Sequence, residues 1–314
     1  GAGAPGAEGD FSAAKGGGRA PVGQAEVIAG RQGNARRLVD CLEPPGRDAL
    51  MVEFGNLRDS GLIDRGQPYE GTYVAAFEND EIVGAVAHFW NGNLAFQAPD
   101  HIDDLWRVAV RVSGRPIQGL LGPNEQVDRV HRALGLHDAQ IQVDEVENLY
   151  SLELADLVVP EPLRSGQVTG KPVEPLDLDL LTEWRVGFSL ESLGEEEGPD
   201  LWIRCRADAA RVIREERCWL LEDGGRPVST TAFNTAFAEA VQVGGVWTPP
   251  ALRRRGYGRA VVATSLLDAR ARGVSKGVLF TGQDNIPAQK AYLALGFQHV
   301  GDYRLTLLRS PIEL

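Results

Sequence analysis

The chain has 314 residues, of which 43% are hydrophobic and 24% charged, a composition typical of folded proteins. It excludes collagen-like, coiled-coil and wholly disordered chains, and the length suffices for two domains of about 150 residues each. The net charge of -12 argues against a broad electrostatic surface for nucleic acid or anionic membranes. We therefore expect neither nucleic acid nor a membrane as a partner. A binding site for a smaller anion would require a local cluster of basic residues.

Hydropathy and cysteine usage indicate the compartment. No run approaches the ~18 consecutive apolar residues of a spanning helix, and the first residues lack the pattern of a signal peptide. The three cysteines Cys41, Cys205 and Cys218 are widely spaced and fit neither a disulfide framework nor a zinc motif. We therefore expect a cytoplasmic protein with reduced, buried thiols and no metal site.

The chain divides into a tail and two similar lengths. Residues 1–23 are mostly Gly, Ala and Pro and predict a flexible tail. Prolines and glycines between Pro160 and Pro175 predict a break between two regions of regular apolar patterning. The predicted domains are therefore 24–160 and 161–314.

Each half begins with a predicted hairpin. In the first half, Tyr73–Phe77 and Ile82–Phe89 flank a short polar turn. In the second half, Cys218–Leu221 and Pro227–Phe233 flank a turn that contains two glycines. The two halves thus follow one plan in the same order.

A longer internal repeat supports that plan. Asn124–Leu136 aligns without a gap with Asn285–Phe297, at an offset of 161 residues. Duplication of a domain is the simplest explanation. The alternative is a chance similarity between two short helices that both end in Ala-Leu-Gly.

The chemically most informative segment follows the second hairpin. Ala240–Val246 is rich in β-branched residues and predicts a strand, and Val262, Leu266 and Ala269 recur at helical spacing after it. Between them lies a basic turn with the sequence Arg253-Arg254-Arg255-Gly256-Tyr257-Gly258-Arg259. A glycine-containing turn that leads into a helix N-terminus is a favourable site for an anion, because free N–H groups and the helix dipole converge there.

The charge distribution favours a phosphate-bearing ligand at this turn. The segment Ala251–Lys276 carries a charge of +6, whereas the remainder of the chain carries -18. A solvated helix face is the alternative for such a run. Neither the dinucleotide-binding pattern nor the Walker pattern fits, because position 261 is Val261 and a Gly-Lys-Ser/Thr sequence is missing.

Two motifs in this order resemble the acetyl-coenzyme A signature of the GNAT N-acetyltransferase superfamily. They are Arg253-x-x-Gly256-x-Gly258, between a strand and a helix, and Asn285-x-x-Ala288-x-x-x-Tyr292-x-x-x-Gly296-Phe297. The resemblance implies a mixed α/β (α+β) fold of two GNAT-like domains, each with a mixed central sheet flanked by helices. Acetyl-CoA is then the expected cosubstrate. Tandem domains of this kind are also found in mycothiol synthase.

The resemblance assigns roles to particular positions. Backbone groups at Val246, Trp247 and Thr248 would pair with the pantetheine arm as an added strand. The diphosphate would lie on the basic turn, for which the residues are Arg253, Arg254, Arg255, Gly256, Tyr257, Gly258 and Arg259. Asn285 would hydrogen-bond the pantetheine or its surroundings.

The resemblance specifies the catalytic acid more clearly than the catalytic base. The resemblance implies that the Tyr292 hydroxyl protonates the departing thiolate, and a core aromatic is the alternative for this residue. Many family members place a Glu five residues before the motif asparagine, where this chain has Phe280. Glu239 is then the candidate base, or else it only terminates the strand. Gln242 lies nearer the usual position but cannot act as a base.

The first half differs from the second at the equivalent positions. Asn91–Asp100, where the basic turn is expected, contains neither an arginine nor Gly-x-Gly before a helix, and His131 replaces the tyrosine. We infer a degenerate domain that does not bind the cofactor. In the second half, the resemblance implies that the segment Phe188–Asp200 borders the acceptor site. Its acids Glu191 and Glu195–Glu197 would attract a cationic amine, or else they form an ordinary exposed acidic loop.

The sequence thus predicts a GNAT-type acetyltransferase that transfers acetyl from acetyl-CoA to a primary amine of a small molecule, by direct attack in a ternary complex. Two alternatives stay open. One is acetylation of protein lysines or N-termini, and the other is a non-catalytic sensor that binds acyl-CoA.

Overall fold

In the computed structural model of the chain, the described residues are 24–27, 62–67, 70–79, 81–192 and 194–314. The predicted tail at residues 1–23 and Cys41 lie outside them. No helix among these residues is long and apolar enough to cross a membrane.

The described ranges contain twelve strands and seven helices. The strands are β1 (Gln24–Val27), β2 (Gly71–Glu78), β3 (Glu81–Phe89), β4 (Asn93–Gln97), β5 (Ile117–Pro123), β6 (Ile141–Glu153), β7 (Val168–Pro172), β8 (Cys218–Asp223), β9 (Arg226–Ala236), β10 (Ala240–Trp247), β11 (Lys276–Gly282) and β12 (Gln298–Ile312). The helices are α1 (Ile102–Ser113), α2 (Asn124–Ala133), α3 (Glu161–Arg164), α4 (Leu178–Ser192), α5 (Pro199–Arg214), α6 (Tyr257–Ala271) and α7 (Ile286–Leu293).

The strands form one continuous mixed sheet. Their order is β1-β2-β3-β4-β5-β12-β6-β11-β10-β9-β8-β7. Two neighbouring pairs, β4 with β5 and β10 with β11, are parallel, and the remaining pairs are antiparallel. The two halves therefore repeat one topology, and both predicted hairpins are confirmed as β2–β3 and β8–β9.

The last strand of each half lies within the sheet of the other half. β6 pairs with β11, from Glu153 opposite Lys276 to Glu147 opposite Gly282. β12 pairs with both β5 and β6. The sheet is thus continuous across the boundary predicted near Pro160, although the chain positions of that boundary stay a prediction.

The segment expected to be a break contains regular structure. Between Pro160 and Pro175 the chain forms α3 and then the edge strand β7, which pairs with β8. Gly170 is required in β7, because a Cβ there would lie 2.1 Å from a methyl carbon of Thr264 on α6. The prolines that indicated a break are compatible with an edge strand, where backbone N–H groups need no partner.

Helices cover both faces of the sheet in the second half. The predicted apolar face of α6 is confirmed, since Val262, Leu266 and Ala269 are all buried against β10 and β11. On the opposite face, α4 and α5 bury a second cluster that includes Trp184 and Trp247. These two layers position β10 between the helices whose ends form the candidate site.

Candidate functional site

The two parallel strands of the second half separate at their C-terminal ends. They pair over four residues, from Ala240 to Val243 on β10. Beyond these, β10 follows β9 through a bulge between Gly244 and Trp247, whereas β11 stays paired with β6 as far as Gly282. The separation leaves an opening, and the bulged segment of β10 has no strand register on the β11 side.

The basic turn lies directly after this opening. Arg254 adopts a positive φ of 63° and Gly256 one of 81°, and the chain then enters α6. The first helical hydrogen bond runs from the Ala260 N–H to the Gly256 carbonyl, at 3.0 Å. The N–H groups at positions 257–259 therefore have no acceptor within the helix, and they provide the anion-binding end that the sequence predicted.

Tyr257 holds the turn in place. Its ring is buried against a cluster that includes Val168 and Leu221, and its hydroxyl donates to the Asp223 carboxylate. This hydrogen bond and burial raise the pKa of the Tyr257 hydroxyl. The side chain of Tyr257 therefore anchors the turn to β8, and only its backbone faces the anion-binding end.

The four arginines of the turn have different surroundings. Arg253 binds both carboxylate oxygens of Glu191, at 2.5 and 2.8 Å, and stacks over the Trp247 ring at 4.8 Å from its centroid. Arg254 and Arg255 are exposed, and the Nε of Arg259 is buried without a hydrogen-bond partner in the described residues. Contact of Arg253 with a diphosphate stays a prediction, and the last three arginines are the cations available to a ligand.

Replacement of Gly258 by alanine separates an effect on cofactor binding from an effect on the stability of the fold. A Cβ on this residue would lie 3.6 Å from Thr248 Oγ1 and 3.9 Å from Val246 Cγ1, which is ordinary contact. Because alanine favours helices more than glycine, we expect Gly258→Ala to retain or raise the free energy of unfolding by about 0.5–1 kcal/mol. The added methyl faces the segment expected to hold pantetheine, so affinity for acetyl-CoA should fall about tenfold.

Thermal unfolding and calorimetric titration of the same preparation measure both effects. The comparison variant is Gly256→Ala, which should lose stability because Gly256 has a positive φ. Unchanged affinity in Gly258→Ala would show that no ligand approaches this face of the helix.

Asn285 and Tyr292 lie on the helix that follows β11. The Asn285 Oδ1 accepts the Ala288 N–H at 3.2 Å and caps α7, so its amide group is left to donate elsewhere. Tyr292 is 7% exposed and its ring packs on Tyr150 and Phe297, with centroids 6.4 and 6.1 Å away. Its predicted roles as acid and as core aromatic are therefore compatible.

Burial and the nearby Glu147 raise the pKa of Tyr292 to about 12. The hydroxyl thus stays protonated throughout the physiological range and can donate a proton. The surrounding apolar cluster includes Val243 and borders Val246, which connects Tyr292 to the bulged segment of β10.

The predicted base Glu239 is poorly placed. It is exposed and precedes β10, at the end of the strand opposite Trp247 and about 25 Å away at 3.3 Å per residue. Its carbonyl accepts the N–H groups of Ser275 and Lys276. Val241, on the same face, is packed under α6, so the geometry favours the second interpretation, in which Glu239 terminates the strand.

Sequence reasoning missed Glu147. It lies on β6, in the half expected to be degenerate, and only the strand exchange brings it beside Gly282 at the end of β11. Burial and the neighbouring Glu145 raise the pKa of Glu147 to about 7. The alternating charges of β6 gave no signal for this position, because its pairing partner lies 135 residues further along the chain.

A pocket of about 450 Å³ lies on the face of the sheet covered by α4 and α5. Its walls include the rings of Trp184, Phe188 and Trp247. Its charged side chains include Arg185, which is paired with Asp208, and Arg204. Phe188 packs edge-on against Trp247, the residue on which Arg253 stacks from the turn. The pocket and the basic turn are thus adjacent, separated by Trp247.

The acids predicted to attract an amine are partly neutralised. Glu191 is paired with Arg253, and Glu195 with Arg204. The thiols of Cys205 and Cys218 are buried and free, as predicted. Among the described residues, no cluster of His, Cys, Asp and Glu side chains could hold a metal ion.

In the first half the equivalent opening is occupied. A Cβ on Gly122 of β5 would lie 2.9 Å from the carbonyl oxygen of Phe96 on β4, so these strands remain in contact near their ends. The Gln126 Oε1 accepts the Ala98 N–H at 2.8 Å in a buried hydrogen bond. The Ala98 N–H therefore already has an acceptor and is not available to a ligand.

The helix that follows β4 also differs in charge. The first turn of α1 carries Asp103 and Asp104, where α6 carries Arg259. Acidic side chains at a helix N-terminus repel a second anion. Both differences support the interpretation that the first half does not bind the cofactor.

Comparison with known families decides the identity of the second half. Residues 179–297 match the sequence profile of the Acetyltransferase (GNAT) family. This segment belongs to the GNAT family. It extends from α4 to the residues just after α7 and therefore contains the opening, the basic turn and Tyr292. The GNAT segment makes the protein an acyltransferase. A comparison with curated proteins gives no match to the chain.

Solved structures share the fold over almost the whole chain. An X-ray structure of a Drosophila protein has a TM-score of 0.61 at 13% identity and covers 90% of this chain and 98% of its own. A GCN5-related N-acetyltransferase from Sphaerobacter thermophilus has a TM-score of 0.55 at 14% identity, with coverage of 92% and 96%. A tandem GNAT protein from the clavulanic acid biosynthesis pathway has 0.54 at 13%, with 92% and 99%. The predicted mixed α/β GNAT fold is thus confirmed.

Proposed function

We propose that the GNAT half transfers an acetyl group from acetyl-CoA to the primary amine of a small molecule. The observation that carries this proposal is the opening between β10 and β11, which leads directly to a helix N-terminus flanked by exposed Arg254 and by Arg259. An extended arm that ends in a diphosphate matches this arrangement of a free strand segment and an anion site.

The arm of acetyl-CoA would lie along Val246–Thr248. The Ser229 hydroxyl fixes this segment from the other side, because it contacts the Trp247 carbonyl at 2.9 Å and Thr248 Oγ1 at 2.8 Å. The diphosphate would then lie at the N–H groups of the first turn of α6, beside Arg254 and Arg259. Charge-assisted hydrogen bonds from arginine to phosphate are stronger than those between neutral groups.

The chemistry is a direct transfer in a ternary complex. The neutral amine attacks the thioester carbonyl carbon, a C–N bond forms, and the C–S bond then breaks. Tyr292 donates its proton to the departing sulfur and regains one from the amide nitrogen as that nitrogen loses its proton. A covalent carrier is not required, and burial raises the pKa of the Cys218 thiol, which keeps this nearby sulfur unreactive.

The pocket beside Trp247 supports a small molecule as the acceptor. Its volume of about 450 Å³ lies within the usual range for small-molecule sites of about 300–1,000 Å³. A cavity of this volume with three aromatic rings in its wall suits a compact molecule better than a long peptide. We propose that the first half does not bind acetyl-CoA and supports the second half.

Replacement of Tyr292 tests its role as an acid. We expect Tyr292→Phe to lower kcat about 10- to 100-fold because the leaving thiolate loses its proton donor, with the Kd for acetyl-CoA changed less than twofold. Tyr150→Phe is the control, since Tyr150 is buried beside Tyr292 in the same cluster. A Kd that weakens as much as kcat falls would identify Tyr292 as a core aromatic only.

The substrate class is tested with the full chain, acetyl-CoA and a panel of polyamines, amino sugars, amino acids and lysine peptides. Release of coenzyme A with a free small amine, and little with peptides, is the expected result. Preference for peptides would indicate a protein acetyltransferase. Binding of acetyl-CoA without amine-dependent release would indicate a sensor.

A further inference from the structure

The transfer requires a group that removes a proton from the amine, which arrives largely as an ammonium ion. Neither position considered from the sequence provides one. Phe280 is apolar, and its ring packs on Tyr303 with centroids 4.7 Å apart. Glu239 lies at the opposite end of β10 from the bulge. The need for such a base rests on the proposed function.

Strand register places Glu147 next to the position that Phe280 occupies. On β6 and β11, Leu149 is opposite Phe280 and Glu147 is opposite Gly282. Because alternate residues share a face, the side chains of Glu147, Leu149 and Phe280 lie on one face of the sheet. Glu147 is therefore one strand across and two residues along from Phe280, at the end of β11 that borders the opening.

Gly282, which is opposite Glu147 on β11, has no side chain. The space beside it holds the carboxylate of Asp284, with an oxygen 2.9 Å from where a Cβ of Gly282 would lie. Leu279 of β11 packs under α6, so its neighbour Phe280, and Glu147 with it, face the other side of the sheet. This is the side that α4 and α5 cover and where the pocket lies, since Ala232 and Trp247 belong both to the cluster under these helices and to the pocket wall. The Glu147 carboxylate and the pocket thus share a face.

Charged and titratable groups face Glu147 from each element around it. Glu145 shares its strand and face, Tyr303 is opposite it on β12, and Tyr292 lies close enough on α7 for the charge of Glu147 to affect its pKa. Asp284 follows β11, with a carboxylate oxygen 2.9 Å from where a Cβ of Gly282 would lie. In the described ranges, no Arg, Lys or His forms an ion pair with Glu147. A carboxylate without a cation is a stronger base than a paired one.

We propose that Glu147, which the first half contributes through the exchanged strand β6, is the general base for the acceptor amine. In this step the Glu147 carboxylate takes one proton from the ammonium nitrogen, directly or across one water molecule. The N–H bond breaks, its electron pair becomes the lone pair that attacks the thioester, and the proton later passes to solvent. The first half thus has a catalytic residue although its own opening is occupied.

The pH dependence follows from the state of this carboxyl group. Its pKa of about 7 means that the basic form increases as the pH rises through neutrality. We therefore expect kcat/KM to rise with pH and to level off above about 8. A carboxylate with the ordinary pKa of 4.5 would already be fully ionised near neutral pH and would not make kcat/KM rise with pH there.

The test compares Glu147→Gln with the unchanged chain, using acetyl-CoA and the best small amine of the panel, between pH 5.5 and 9. We expect kcat/KM at pH 8 to fall about 100-fold and the limb near pH 7 to disappear, with the Kd for acetyl-CoA unchanged. Glu145→Gln is the matched control on the same strand and face. It should keep the plateau rate and move the limb to lower pH, because the charge of Glu145 raises the pKa of Glu147.

Stability measurements separate this role from a structural one. A Glu whose pKa is raised on folding destabilises the folded chain progressively as the pH rises from about 4.5 to about 7, and the penalty is complete above that. Glu147→Gln removes the penalty, so at pH 8 its Tm should equal or exceed that of the unchanged chain. A lower Tm together with weaker cofactor binding would contradict the proposal.

The outcomes for the base and for the proposed function are distinct. If the unchanged chain turns over an amine and Glu147→Gln keeps its rate and pH profile, the base is another group, with Glu239→Gln and Asp284→Asn the variants to compare. If no amine is turned over, the proposed function fails, and slow hydrolysis of bound acetyl-CoA then tests the base. Hydrolysis that depends on Glu147 in the same pH range would support its role, and hydrolysis that does not would overturn it.

Discussion

Expressed separately, residues 24–160 and 161–314 are each expected to lack a cooperative folded state. Each fragment would lose the strand that occupies the middle of its sheet, because β6 lies beside β11 and β12 lies beside β5. Tyr150 and Leu152 of β6 are buried in the core of the second half, and Leu308 of β12 in the core of the first.

The loss of buried side chains, together with the unpaired backbone groups of the two strands that flank the missing one, is expected to be comparable with the stability of an ordinary domain. Each buried large apolar side chain contributes about 1.5–3 kcal/mol, and a domain is stable by only about 5–15 kcal/mol. Removal of a paired strand with several such residues therefore unfolds the fragment. Circular dichroism during thermal unfolding measures this directly, and co-expression of both fragments is the control that should restore the transition. A sharp transition in either fragment alone would show that each half can use its own last strand.

Combined replacement of Arg254 and Arg259 by alanine is expected to weaken acetyl-CoA binding about 100-fold. The Arg254 side chain is exposed at the turn, and the buried Nε of Arg259 has no partner in the described residues, so a diphosphate is the group that would satisfy them. Hydrogen bonds to charged groups contribute about 1.5–3 kcal/mol each, and 1.4 kcal/mol corresponds to a factor of ten.

The matched control is Arg272→Ala, just beyond the other end of α6, where the side chain pairs with Asp268 and Glu216. This variant removes one positive charge, half of what the double variant removes, and leaves the N-terminus of α6 intact, so its affinity should change less than threefold. Titrations at two salt concentrations complete the comparison, since the double variant should also show a weaker dependence on salt. Equal loss in both variants would indicate a general effect of net charge and would contradict a specific phosphate site.

The sequence predicted local features more successfully than pairing between distant segments. The hairpins, the strand before the basic turn and the buried face of α6 follow from alternation, turn residues and helical spacing, all of which act within about 15 residues. The anion-binding end of α6 was predictable for the same reason, because the turn and the helix N-terminus are contiguous in the chain.

Three features were not predictable from local patterns. Strand exchange depends on which edge each last strand meets, and β6 and β12 have no local residue that specifies it. The pairing of Arg253 with Glu191 joins residues 62 positions apart. The proximity of Glu147 to Tyr292 follows from the exchange, so a search for the base within the second half selected Glu239 instead.

The segment from Pro160 to Pro175 shows that prolines and glycines do not by themselves identify a linker. Prolines and glycines there indicated a linker, yet β7 uses Gly170 to pass close to Thr264 and places its proline at an edge. The same residue types thus serve a break or a tightly packed edge strand, and only tertiary contact distinguishes the two.

Calorimetric titration of the intact chain with acetyl-CoA counts the working cofactor sites of the tandem fold. We expect one site per chain, because β10 and β11 separate beyond Val243 whereas the Gln126 side chain already bonds the Ala98 N–H in the first half. Two sites would contradict the interpretation of the first half. The absence of binding would contradict the acetyl-CoA site itself.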